Sequence, residues 1–91
     1  PNSKSIYWMT SIRLLDGARL KRDELIKILR EHNIDSRPVF PAISQYPIWE
    51  IQQQSNPVAR LIGDTSINLP SGVGLCKAEV DYICDIVLQN V

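Results

Sequence analysis

The chain has 91 residues, enough for one hydrophobic core and too few for two. Hydrophobic residues make up 44% and charged residues 22%, and the mean hydropathy is −0.11, which excludes a disordered tail, a collagen-like repeat or a fibre. Ten basic residues balance ten acidic ones, so no global positive field exists to hold nucleic acid or an anionic membrane, and no apolar run approaches the ~18 residues of a membrane span.

In chain order, Pro1-Asn2-Ser3-Lys4 reads as a linker without a secretory leader. The expectation is a piece of a longer, cytoplasmic protein, with a tag-cleaved complete chain as the alternative. The stretch Ile6–Leu14 is rich in aromatic and β-branched residues and free of Pro and Gly, which predicts a strand; Asp16-Gly17 then marks a turn. Lys21–His32 reads as a helix with Leu25, Ile26, Ile28 and Leu29 on its apolar face. Asp23 and Glu24 stand in its first turn and Arg30 and His32 in its last, the polarity that suits the helix dipole. Asn33 follows, a residue that tolerates the left-handed conformation of a helix cap.

Ile34–Phe40 reads as a short strand. Pro38 removes a ladder donor there, so the strand belongs at a sheet edge. Pro41 and Pro47 bound a loop, and Ile48–Gln54 predicts a helical turn. Pro57 suits the first turn of a second helix, with Asn56 as N-cap, running to about Gly63. Ile67–Leu69 reads as a short strand closed by a turn at Pro70-Ser71-Gly72. Lys77–Val91 predicts the clearest helix, with an apolar stripe of Val80, Ile83, Cys84, Val87 and Leu88 and Glu79 three residues after Cys76, as in a capping box. Cys is a poor cap, so the box is incomplete. The order β-α-β-loop-α-β-α, with two amphipathic helices over a small sheet, defines a two-layer α+β domain.

Chemistry-bearing residues are sparse. Cys76 and Cys84 form no CxxC pair; Cys84 is expected in the core and Cys76 at a helix start, about two helical turns apart and too far for a disulfide. This usage suits a reducing compartment. The lone His32 has no neighbours at ligand spacing, so no metal site is expected. The pairs Asp16/Asp23 and Asp81/Asp85 read as solvated faces. No Gly-rich phosphate loop and no Ser-His-Asp arrangement occur. The unusual segment is Asp35–Tyr46: Arg37 precedes Pro38 at a strand end that opens into a Pro-framed loop holding Ser44, Gln45 and Tyr46. Such a strand end can hold polar groups rigidly toward a ligand, and Arg37 offers a planar fork suited to carboxylate or phosphate. The bland alternative is a surface Arg in a local ion pair, with Asp35 or an acidic residue of a larger domain as its partner.

Three ordered motifs carry a resemblance: YWMTSIRL; RDELIKILREHNIDSRPVFPAISQYPIWE; and INLPSGVGLCKAEVDYICDIV. Together they resemble the C-terminal domain of the DegT-type sugar aminotransferases, the perosamine synthetase branch above all, from about Ile6 to Val91. The resemblance implies the small domain of an aspartate-aminotransferase-fold enzyme, with a small and mainly antiparallel sheet, over residues 1–91. It implies pyridoxal 5'-phosphate as cofactor, held by a larger N-terminal domain that supplies the Schiff-base lysine. It further implies a homodimeric parent that transfers an amino group, from glutamate, to a nucleotide-linked 4-keto-6-deoxy sugar. None of Lys4, Lys21, Lys27 and Lys77 lies in a family Schiff-base motif, so no catalytic and no cofactor-binding residue is expected in this chain, which should not transaminate alone. Arg37 matches the family's strand-end Arg and is expected to bind substrate together with Ser44, Gln45 and Tyr46. The sequence departs from the family pattern at Ser44 and Gln45, where His and Thr are frequent, at Pro41-Ala42, where Tyr-Pro is common, and at Cys76, where Thr is usual.

Two other readings compete with the enzymatic one: a non-catalytic small-metabolite-binding or regulatory α+β module using the same loop, and a protein-interaction module. Truncation of a domain that packs on a larger one predicts exposed apolar surface, with Tyr7, Trp8, Tyr46 and Trp49 as its candidates.

Overall fold

The computed structural model describes residues 2–49 and 56–91. These residues form β1 (Ser11–Arg13), α1 (Arg22–Glu31), β2 (Arg37–Pro38), α2 (Pro57–Thr65), β3 (Ser66–Asn68) and α3 (Lys77–Asn90), with a 3-10 turn at Ile43–Gln45. The strand order is β1-β3-β2, and both pairings are antiparallel. Two strands joined through α1 therefore flank a third that arrives later in the chain, a split β-α-β arrangement. Ser11 and Arg37 both stand opposite Asn68, and Ile12 and Pro38 both stand opposite Ile67. Residues paired across a sheet share a face. Ile12, Ile67 and Pro38 thus point one way, and Ser11, Asn68 and Arg37 the other.

The first of these faces meets the helices. Leu25 and Leu29 of α1, Ile34, Ile67 and Ile83 of α3 form the buried cluster, with Ile12, Leu14, Leu69, Ile86, Val87 and Val91 packed around it. Leu25, Leu29 and Ile67 are 0% exposed. Complete burial of such a side chain stabilises by about 1.5–3 kcal/mol before the ordering entropy is counted.

Both long helices begin alike. The Glu24 carboxylate accepts the backbone N–H of Lys21 (2.7 Å), and Glu79 accepts that of Cys76 (2.9 Å), the carboxylate half of a capping box in each case. Helix α1 ends as expected at Asn33, with φ 61°. The Asn33 N–H donates to Arg30 O (3.0 Å) and the Ile34 N–H to Leu29 O (2.9 Å), a Schellman motif completed by the apolar contact of Ile34 with Leu29. This cap turns the chain sharply into β2. Helix α2 starts at Pro57 behind Asn56. Its Gly63 lies against the backbone of residues 40–42, where a Cβ would meet Phe40 O at 3.3 Å, and its carbonyl accepts a hydrogen bond from the Arg22 guanidinium.

Four expectations need correction. The strand foreseen over Ile6–Leu14 forms only at Ser11–Arg13: Tyr7 adopts φ 52°, which breaks the extended run. The strand foreseen over Ile34–Phe40 shrinks to Arg37–Pro38 at the sheet edge, as the proline requires. The turn foreseen at Pro70-Ser71-Gly72 falls at Val73-Gly74, closed by the Leu75 N–H to Gly72 O (3.2 Å). Cys84 is exposed, not buried. The apolar stripe of α3 is wider than the surface that covers it: Ile83, Ile86 and Val87 turn inward, while Val80 and Leu88 stay 43% and 70% exposed, and Cys84 shares their side. The helical turn expected over Ile48–Gln54 lies mostly outside the described residues, and Ile48 and Trp49 are not helical.

Candidate functional site

The polar face of the sheet runs to an open cleft of about 330 Å³ where β2 and β3 end. Its polar wall is made by Asp35, Ser36, Arg37, Asn68 and Ser71, and its apolar wall includes Trp8, Met9, Pro38 and Phe40. Three local devices hold this wall. Asn68 Oδ1 accepts the Ser11 hydroxyl at 2.5 Å, which fixes the amide. Arg37 Nε donates to Asp35 Oδ1 at 3.3 Å, with the two side chains 76% and 80% exposed. Ser71 Oγ accepts the Thr10 N–H (2.9 Å) and donates to Leu69 O (3.0 Å), tying the segment before β1 to the segment after β3. The Leu69 N–H donates to Thr10 O (2.9 Å) and doubles that tie.

One polar group in the lining stands out. Ser36 is 5% exposed, and its hydroxyl has no partner among the described residues. A buried hydroxyl without a hydrogen bond is costly, and strand alternation turns Ser36 to the face of Pro38, away from Arg37.

The four residues singled out from the sequence separate. Arg37 lines the cleft; Ser44, Gln45 and Tyr46 sit at the 3-10 turn and its end, outside that lining. Sequence reasoning missed Trp8, Asn68 and Ser71. Two of them stand in NLPSG, which reads as a turn, and Trp8 stands in a run whose composition reads as a strand. Both Asp35 and Arg37 are also neighbours in the ion pair anticipated as the alternative role for Arg37.

A second, larger depression of about 460 Å³ lies between the end of α1 and the start of α3. Its rim is already committed: Tyr82 Oη donates to His32 O (3.1 Å), His32 Nδ1 lies 2.8 Å from Ile28 O, and Glu79 caps α3.

Chemically, the cleft offers donors. Among the described residues its one carboxylate, Asp35, is engaged by Arg37, and they supply it neither a lysine nor a histidine. It can bind an oxygen-rich, electron-rich group, but the described residues give it no pair for acid-base chemistry. No cluster of three metal-ligating side chains occurs among the described residues, and no helix among them is long and apolar enough to cross a membrane.

Comparison with known proteins gives these features a family. The profile of the DegT/DnrJ/EryC1/StrS aminotransferase family matches residues 1–88. The chain belongs to the DegT/DnrJ/EryC1/StrS aminotransferase family. It is 37% identical to the GDP-perosamine synthase of Escherichia coli O157:H7 over 81 residues, 89% of this chain and 22% of that protein. It is 35% identical to the GDP-perosamine synthase of Vibrio cholerae over 83 residues, 89% and 23% of the two chains. A third GDP-perosamine synthase, from Caulobacter vibrioides, is 33% identical over 81 residues, 88% and 22% of the two. The chain therefore spans less than a quarter of the length of these relatives.

DegT-family sugar aminotransferases depend on pyridoxal phosphate, which needs a lysine inside a closed site for its Schiff base. The lysines of this chain, Lys4, Lys21, Lys27 and Lys77, are all exposed, and Lys77 is paired with Asp81 at 2.6 Å. These residues do not fit that role.

Proposed function

We propose that this chain is the C-terminal small domain of a cytoplasmic, homodimeric aminotransferase that loads an amino group onto a nucleotide-linked 4-keto-6-deoxy sugar, with glutamate as donor. In this reading the three-stranded α+β unit is the small domain of an aspartate-aminotransferase fold. The cofactor and its lysine belong to a larger domain that precedes it, and the 91 residues are not catalytic alone. The carrying observation is the donor-lined cleft with Arg37 at its mouth and, among the described residues, no lysine or acid-base pair inside it. That is the equipment of a part that holds substrate beside chemistry performed elsewhere. Arg37 anchors an anionic part of the sugar nucleotide, and Ser44, Gln45 and Tyr46 add a second point of contact from the adjoining turn. The GDP-perosamine synthase relatives support a nucleotide sugar as the substrate class.

The test is amination by the full-length protein, purified with bound cofactor and supplied with glutamate and a keto-sugar nucleotide. Aminated sugar nucleotide is the expected product. A cofactor-loaded protein that aminates no keto sugar contradicts the proposal. The regulatory-module alternative is settled from the coding sequence upstream of Pro1: a further ~250–300 residues carrying a buried lysine, as the family likeness implies, removes it.

A further inference from the structure

We propose that the cleft binds one phosphorylated ring of the substrate, with the ring laid on Trp8 and the phosphoryl oxygens held by Arg37 and Asn68. The inference rests on the aminotransferase reading above and names residues that reading does not.

The first support is the register. Arg37 and Asn68 stand directly opposite each other on β2 and β3, so their side chains leave the same face as near neighbours. Each is pre-oriented through one atom only. Asp35 takes Arg37 Nε, and the Ser11 hydroxyl occupies Asn68 Oδ1. The Arg37 Nη groups and the Asn68 amide nitrogen are left as donors, with no partner among the described residues. A planar guanidinium fork beside an amide donor matches the spread oxygens of a phosphoryl group.

The second support is the placement of Trp8. The chain reaches it through Tyr7 at φ 52°, a left-handed conformation that a bulky residue rarely adopts. The Tyr7 N–H is held by Ser5 Oγ at 3.0 Å, and the Thr10 ties to Ser71 and Leu69 fix the far side. A strained bend followed by two anchors leaves the Trp8 indole at the cleft wall, 68% exposed. An exposed indole in the same lining as those donors suits a flat or semi-flat ring, a nucleobase or a pyranose.

Size sets the limit: about 330 Å³ is near the lower end of small-molecule sites, which run from roughly 300 to 1,000 Å³. The cleft takes one ring and its phosphoryl group, and the rest of the nucleotide sugar extends out of it.

The experiment uses the full-length protein with its cofactor bound. A nucleoside diphosphate, a hexose 1-phosphate and inorganic pyrophosphate are titrated by calorimetry into the wild type and into Trp8→Ala, Trp8→Phe and Asn68→Asp. Asn68→Asp keeps the shape and the Ser11 hydrogen bond but sets a carboxylate against the phosphoryl group. It is expected to weaken all three probes tenfold or more. Trp8→Ala is expected to weaken the probe whose ring stacks by a similar factor and to leave pyrophosphate within twofold, with Trp8→Phe in between and the cofactor's visible absorbance unchanged throughout. Loss for the nucleoside diphosphate alone makes the ring a base; loss for the hexose 1-phosphate makes it the sugar. Binding of every probe within twofold of wild type in both Trp8→Ala and Asn68→Asp overturns the proposal. The two readings fail separately. Amination with an unchanged KM for sugar nucleotide in both variants removes the cleft and leaves the reaction. Trp8-dependent binding in a protein that aminates no keto sugar removes the reaction and leaves the cleft.

Discussion

Replacing Arg37 by Lys separates a substrate anchor from a structural ion pair, because the structure gives the two roles very different sizes. The Arg37–Asp35 contact is 3.3 Å long, with its two side chains 76% and 80% exposed. Exposed pairs of this kind contribute about 0–1 kcal/mol, and an ammonium at the same place recovers part of that. The substitution should therefore lower Tm by no more than about 2 °C, given that 1 kcal/mol moves a protein of 150–250 residues by ~2–4 °C. The ligand side is larger. A charge-assisted hydrogen bond to a phosphate contributes about 1.5–3 kcal/mol, and lysine keeps the charge while losing the fork. KM for the sugar nucleotide should rise roughly 10- to 150-fold, with KM for glutamate within twofold and cofactor absorbance intact. Steady-state kinetics with both substrates varied, and a thermal melt on the same preparation of the full-length protein, measure all of this. A fall of several degrees in Tm with an unchanged KM refutes the reasoning and makes Arg37 structural. A rise confined to KM for glutamate assigns it to the donor carboxylate and refutes the sugar-nucleotide role.

Ile67→Ala, at the centre of the middle strand and fully buried, should cost about 2–5 kcal/mol, read as a lower denaturation midpoint with an unchanged m-value. Cys76→Thr should stabilise by about 0.5–1 kcal/mol, since a hydroxyl completes the capping box whose Glu79 half is already made; no gain in chemical denaturation would mean that the thiol already caps α3. The 91-residue chain in isolation should self-associate, because Tyr7, Trp8, Tyr46 and Trp49 are 85%, 68%, 40% and 49% exposed and α2 and α3 add uncovered apolar side chains. Sedimentation equilibrium at several concentrations should show a rising mean mass, and a strictly monomeric, highly stable fragment would contradict the argument.

Helices α1 and α3 were legible almost to the residue, because their apolar spacing, acidic first turns and Asn33 cap all act within one or two turns of chain. The strands were legible only in part. Ile6–Leu14 has the composition of a long strand, but pairing depends on what lies opposite. Only Ser11–Arg13 finds β3, and the Thr10 N–H goes to the Ser71 side chain instead. Cys84 falls outside the core for a similar reason: a sequence states how wide an apolar stripe is, not how much of it the neighbouring layer covers. Arg37 could be picked out because a proline beside it fixes the strand end. Its neighbour Asn68 could not, since their juxtaposition comes from a strand order that no local pattern encodes. Ser44, Gln45 and Tyr46 follow Arg37 closely in sequence, in the loop that the family likeness marks, whereas the sheet turns Arg37 toward the segment after β3.

The strand order also has a consequence for how the protein is made. β1 and β2 never touch each other as a pair; both wait for β3. The Ser11–Asn68 bond joins residues 57 apart and the Thr10–Ser71 bond residues 61 apart, so every ladder of the sheet is closed by a segment that leaves the ribosome late. Until residues 66–71 emerge, α1 and its Schellman cap can form, but this unit has no sheet and Leu25 and Leu29 have no floor to pack on. Loop closure over such separations slows folding relative to local contacts, and the uncovered leucines and unpaired strand edges are what a chaperone would meet during that interval. Within this unit, synthesis halted before Ser66 leaves α1 and α2 without a sheet, whereas synthesis carried past Ser71 permits the sheet and the cleft to close, and the core is complete only once Ile83 and the rest of α3 have followed.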